Sequence, residues 1–100
     1  MGKVYKNQTA HKLYLHTGLT LSEYGTITSA LIKYKKPDTE RTEGSFTAEL
    51  GDFPYITYQI DSVDDLDVVG EWIFWSYITM VDGTVAPGEI DTLYIYPEGT

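Results

Sequence analysis

Residues 71–81 read Glu-Trp-Ile-Phe-Trp-Ser-Tyr-Ile-Thr-Met-Val, with an apolar or aromatic residue at almost every place. Successive side chains of an extended strand point to opposite sides. Trp72, Phe74, Ile78 and Met80 therefore fall on one face, and Ile73, Trp75, Tyr77 and Val81 on the other. A strand with two apolar faces is either central and covered twice, or it presents aromatics to a partner. It is the longest such run, and the rest of the chain has to be arranged around it.

The remaining sequence supplies the neighbours. Short stretches rich in β-branched and aromatic residues, bounded by Gly, Pro, Asn, Asp or Ser, recur at roughly ten-residue intervals and give about seven strands. Residues 11–17 alternate, with Leu13 and Leu15 on one face and Lys12, Tyr14 and His16 on the other. Residues 28–36 set Ala30, Ile32 and Tyr34 against Lys33 and Lys35. Pro37-Asp38 closes that strand, since proline cannot continue a ladder. A polar loop then runs to Gly44, and two further strands place Phe46, Ala48 and Leu50, then Ile56, Tyr58 and Ile60, inward, with a Gly51-Asp52 turn between them. Residues 62–69 predict one helical turn: Ser62 can cap it, Asp65 completes an S-x-x-D pattern and Gly70 suits the stop. Asp82-Gly83 predicts a two-residue hairpin, and the return is broken at Pro87-Gly88 before a last strand over 90–96. Residues 1–100 are one domain of an all-β, antiparallel sandwich, because 100 residues are too few for two cores.

Charge divides by halves. The first fifty residues carry all seven bases against five acids, and the last fifty carry ten acids and no base, for a net charge of −8. That balance disfavours nucleic acid as a partner, because a polyanion has to be neutralised. The halves either interleave in the sandwich and cancel locally, or leave the molecule with a basic and an acidic side suited to stacking on copies of itself or on a charged partner. No apolar run is long enough to span a membrane, and the first ten residues lack a basic-then-apolar export signal.

Chemistry is hard to find in the residues. The absence of cysteine removes disulfides, thiolate metal sites and a cysteine nucleophile together. His11 and His16 are five apart on one strand and point to opposite faces, so they cannot share a metal. Asp61, Asp64, Asp65, Asp67 and Glu71 are numerous enough for calcium, but the D-x-D-x-D-G spacing is missing and acids at a helix start are favoured by the dipole alone. There is no G-x-S-x-G and no glycine-rich phosphate loop. The sequence thus predicts no enzyme, no cofactor and no metal. Asn7-Gln8-Thr9 fits a glycosylation sequon, a pattern frequent by chance.

One ordered set of short motifs carries a resemblance. Ile32-Lys33-Tyr34-Lys35-Lys36-Pro37-Asp38, Glu43-Gly44-Ser45-Phe46, Ile56-Thr57-Tyr58, Asp65-Leu66-Asp67 with Gly70-Glu71-Trp72, and Asp82-Gly83 with Ala86-Pro87-Gly88-Glu89 follow one another over most of residues 28–90. In that order they resemble the immunoglobulin-like N-terminal domain of tailed-bacteriophage baseplate upper proteins, with Thr39 standing where that pattern has glycine. The resemblance implies an immunoglobulin-like sandwich and a non-enzymatic virion component, a tail or baseplate adaptor or decoration domain made in the host cytoplasm. Its partners would be other virion proteins and copies of itself, with no nucleic acid and no membrane. A head-surface decoration protein, or a module binding carbohydrate or a host surface through exposed aromatics, is the alternative. Joined to the charge division, it predicts an assembly surface in which Lys33, Lys35 and Lys36 meet Asp61, Asp64, Asp65 and Asp67 of a neighbouring copy.

Overall fold

The computed structural model describes residues 3–19, 27–51 and 53–99, so Asp52 of the expected Gly51-Asp52 turn lies outside the described residues. Eight strands follow in chain order: β1 Val4–Tyr5, β2 His11–His16, β3 Ile27–Lys35, β4 Glu43–Thr47, β5 Tyr55–Ile60, β6 Gly70–Met80, β7 Val85–Pro87 and β8 Asp91–Tyr96. They form two sheets. The larger runs β1-β8-β6-β3-β4, with β7 also on β6, and the smaller is β2-β5. The long two-faced strand is β6, hydrogen-bonded on one edge to β3 and on the other to β8 and β7.

Three expectations need correction. The larger sheet is mixed rather than antiparallel throughout, because β1 runs parallel to β8, with Val4 opposite Ile95 and Tyr5 opposite Tyr96. A parallel pair needs a long crossover, and here the rest of the chain supplies it. The count among the described residues is eight because the two-residue β1 adds to the seven, while the expected break at Pro87-Gly88 leaves β7 and β8 sharing one edge of β6. Gly88 donates its N–H to the Ser76 carbonyl at 2.8 Å, and a Cβ on it would collide with the Ser76 hydroxyl, so a larger residue there would have to displace that hydroxyl.

The third correction concerns residues 62–69, where no helix forms among the described residues. Asp65 N–H donates to the Ser62 carbonyl at 3.1 Å and closes a single turn. Of the carbonyls that would carry a helix onward, Ser62 O is taken by that bond and Val63 O by the Asn7 side-chain amide at 2.6 Å; beyond them Leu66 O accepts from Asn7 N–H at 2.8 Å and Val68 O from the Trp72 indole N–H at 2.8 Å. Tertiary bonds override a weak local preference. The β6–β7 hairpin differs in a smaller way. Its loop has three residues, Val81-Asp82-Gly83, with Gly83 N–H on Met80 O at 3.0 Å, Met80 N–H on Thr84 O at 2.8 Å and Gly83 at φ +88°. Glycine at that position is what a type I turn followed by a left-handed residue requires.

Alternation decides what is buried. On β6 the even residues Trp72, Phe74, Ser76 and Ile78 are at most 3% exposed, whereas the odd residues Ile73, Trp75, Tyr77 and Thr79 are half-buried. The even face joins Ala30 and Ile32 of β3, Phe46 of β4 and Ile95 of β8 in a single core with Leu13 and Leu15 of β2 and Ile56 and Ile60 of β5. The smaller sheet therefore covers one face of the larger. Aromatic rings tie the layers: Phe46 stacks on Tyr58 at 4.4 Å and 4°, and Tyr34 lies 4.9 Å from Phe46 and 5.3 Å from Trp72.

Trp72 has no exposed surface. Trp72→Ala should lower stability by about 3–5 kcal/mol, the usual cost of deleting a buried aromatic, and Trp72→Phe by less, since it forfeits the indole bond and part of the ring. Chemical denaturation of both variants checks the order. A Trp72→Ala protein that unfolds at the parent's midpoint would show that the residue is not in the core.

Candidate functional site

The odd residues of β6 have no layer above them among the described residues. Antiparallel register sets Trp75 beside Lys33, Tyr77 beside Leu31 and Ile73 beside Lys35, and β8 adds Thr92 beside Ile73 and Tyr94 beside Glu71. Because these positions alternate with the buried ones, all of them share the outer face of the larger sheet. The result is an apolar and aromatic strip with lysines along one side. Lys33 Nζ lies 3.8 Å from the centre of the Tyr77 ring, within range of a cation–π contact. Lys35 Nζ lies 3.6 Å from Glu43 on β4. Between Lys33, Glu43, Gly44, Ser45 and Trp75 the surface sinks into a shallow depression of about 250 Å³.

The seven residues expected to meet across two copies divide into some held within the chain and some left at the surface. Lys33 and Lys35 are on the outer face. Lys36 is one residue further, so its side chain turns to the other side of the sheet. There its ammonium reaches Asp67 of the same chain, at 2.9 Å and 3.1 Å from the two carboxylate oxygens, and lies 5.6 Å from the Trp72 ring centre. The bond from Asp67 raises the Lys36 pKa above the ordinary lysine value, against a smaller lowering from desolvation. Asp65 accepts the Tyr58 hydroxyl at 3.1 Å; burial first, and the Asp65 charge second, raise the pKa of that phenol. Only Asp61 and Asp64 of the acidic set are fully exposed.

Other candidates resolve into local structure. Asp38 accepts the Thr42 hydroxyl at 2.7 Å and the Thr42 amide at 2.8 Å, and Asp82 does the same for Thr84 at 2.7 Å and 3.0 Å. In each case the threonine hydroxyl, then its amide, lowers the carboxyl pKa. His16 Nδ1 accepts from Gly18 N–H at 2.9 Å, and Asn7 of the sequon donates its amide to Val63 O at 2.6 Å. Among the described residues no group of three or more His, Cys, Asp or Glu is placed to hold a metal ion. Trp75, Tyr77 and Ile73 were not singled out as site residues by their chemistry. The signal that finds them is the second apolar face of residues 71–81.

The two classes of lysine should behave differently. Lys36→Met should cost about 1–2 kcal/mol, the scale of a charge-assisted bond discounted because Asp67 is 38% exposed. Lys33→Met and Lys35→Met should each stay within about 0.5–1 kcal/mol of the parent. A raised lysine pKa contributes stability that is fully present below the unfolded value and is lost as pH rises through the folded one. The deficit of Lys36→Met should therefore hold from neutral pH to about pH 9 and shrink only above about pH 10.4, as denaturation at several pH values would show. A deficit that vanished already near neutrality would contradict the ion pair. No family model, no curated protein and no solved structure matches the chain.

Proposed function

We propose that the chain is a non-enzymatic structural component of a tailed-phage particle, a tail or baseplate adaptor or decoration domain that acts by protein–protein assembly through the outer face of its larger sheet. The observation that carries this reading is the strip of Leu31, Ile73, Trp75 and Tyr77, half-buried and without a covering layer among the described residues. Apolar aromatic surface rimmed by charge is the usual composition of a protein interface centre. The strand order supports the immunoglobulin-like part of the reading. A sheet ordered β1-β8-β6-β3-β4, with β1 parallel to β8, packs on a β2-β5 pair, an arrangement compatible with a sandwich of that kind whose second sheet has two strands. The motif order over residues 28–90 supports the placement in a virion.

One observation favours a second reading. Trp75 lines a shallow depression together with Lys33, Glu43 and Ser45, and an aromatic ring among hydrogen-bonding groups is also how a surface holds a sugar. Tryptophan fluorescence separates the two, since Trp72 is fully buried and Trp75 is the ring that a ligand on this face would touch. A saturable change on adding host-surface polysaccharide favours the carbohydrate module.

Trp75→Ala combined with Tyr77→Ala should leave the fold in place, with a smaller loss of stability than Trp72→Ala alone, and should abolish incorporation into particles when it replaces the parent in an infected host. A folded double variant that incorporates at the parental level would overturn the assembly reading of this face.

A further inference from the structure

The outer face carries two lysines on β3 beside an apolar centre, and the same chain carries its counterpart elsewhere. The link between β5 and β6 projects residues Asp61, Ser62, Val63 and Asp64, all of them exposed, with Val63 at 56%. This is an apolar tip between two carboxylates. It is also held in shape. Ser62 Oγ accepts Asp64 N–H at 3.2 Å, the Ser62 carbonyl accepts Asp65 N–H at 3.1 Å, and Asn7 donates its side-chain amide to Val63 O at 2.6 Å. Leu66, fully buried, anchors the loop to the core. A tip fixed before contact loses little conformational entropy on docking.

We propose that the outer face of one copy receives the 61–64 loop of a second copy, with Val63 set against Trp75 and with Asp61 and Asp64 toward Lys33 and Lys35. This names the partner for the face and rests on the reading that the face docks protein. Charge complementarity selects the occupant. The receptor is an apolar centre with Lys33 and Lys35 on β3, with Glu43 of β4 and Glu71 of β6 on the same face, and the tip is an apolar residue with two anions that would meet the lysines. Asp65 and Asp67 take no part, because Tyr58 and Lys36 hold them within the chain. Glu43, the acid at the rim of the depression, faces Lys35 at 3.6 Å. Tip and face are different surfaces of one molecule, so the contact is head-to-tail and each added copy leaves one tip and one face open. The product is a ring if the rotation closes and a filament otherwise.

Salt is a poor test, because at a net charge of −8 it screens the repulsion between whole copies as well as the local attraction. Charge reversal is specific. Sedimentation velocity should show the parent forming species larger than a dimer. Reversal of the face (Lys33→Glu with Lys35→Glu) or of the tip (Asp61→Lys with Asp64→Lys) should each weaken self-association at least about tenfold. An equimolar mixture of the two variants should regain species larger than a dimer, since the parental tip of one fits the parental face of the other and the reversed tip fits the reversed face. All four reversals in one chain should restore the larger species. The altered side chains are at the surface, and circular dichroism verifies that each variant is folded. A parent that stays monomeric at every concentration, or a tip variant that dimerises as strongly as the parent, overturns the self-docking proposal. Either result leaves the Trp75 and Tyr77 incorporation experiment to decide separately whether the face binds another protein.

Discussion

Trp72 is where the two layers and the connecting loop are made to agree. Its ring is inside the larger sheet, 5.3 Å from Tyr34 on the neighbouring strand and 5.9 Å from Phe74 two residues on. Its N–H is bonded to Val68 O, which ties the end of the chain between β5 and β6 to the core. The Lys36–Asp67 pair lies over the same ring. An indole can take all three roles because it combines a large apolar surface with one donor that has to be satisfied when buried. The direction of β6, the position of the acidic loop and the inward turn of Lys36 all follow from the seating of this one side chain.

The division of charge along the chain acquires a spatial meaning from that arrangement. Lys36, from the basic half, and Asp67, from the acidic half, neutralise each other at the edge of the core, where an isolated charge would be costly. Other acids are held by neighbouring hydroxyls and amides at the turns, as Asp38 and Asp82 are. Lys33 and Lys35 lie on the outer face, the first against the Tyr77 ring and the second beside Glu43, and Asp61 and Asp64 lie exposed on a loop. A net charge of −8 is then mainly a guard against indiscriminate association, with contact confined to the places where sign and shape agree.

Alternation made most of the architecture readable before any coordinates. Leu13 and Leu15, Ala30 and Ile32, and Ile56 and Ile60 were assigned inward by period two alone, and each is buried; for β6 period two separated two apolar faces without saying which would be covered. Period two also contained the division of the lysines, since Lys33 and Lys35 share a parity that Lys36 does not. Treating the three as one basic patch ignored it. The helix expected over 62–69 failed for a different reason. Its cap residues were present, but Val63 O is taken by the side chain of Asn7, which is distant in sequence, and no local pattern reports it. The parallel β1–β8 pair was equally invisible, because a two-residue strand has no periodicity. The outer face was half legible. Two apolar sides on one strand required a second cover, but which residues of the neighbouring strands would complete the strip depended on register.

The unequal sheets explain why contact should be made through a face and not through an edge. A sheet edge offers unpaired backbone to any passing strand, and proteins limit that hazard with short strands, lysines and bridging segments. Here β1 is two residues long and β4 five. On the outer side of β5, Glu49 and Thr57 exchange amide–carbonyl bonds at 2.8 Å and 3.1 Å, so a bridge covers part of that edge. β2 carries Lys12, with its ammonium 5.6 Å from the Tyr14 ring centre, and histidines at both ends. Backbone pairing is specified by little more than strand length and would join copies in many registers. A face with Trp75, Tyr77, Lys33 and Lys35 in fixed rows accepts a partner in few orientations, and a repeating particle can only be built from contacts that recur with the same geometry.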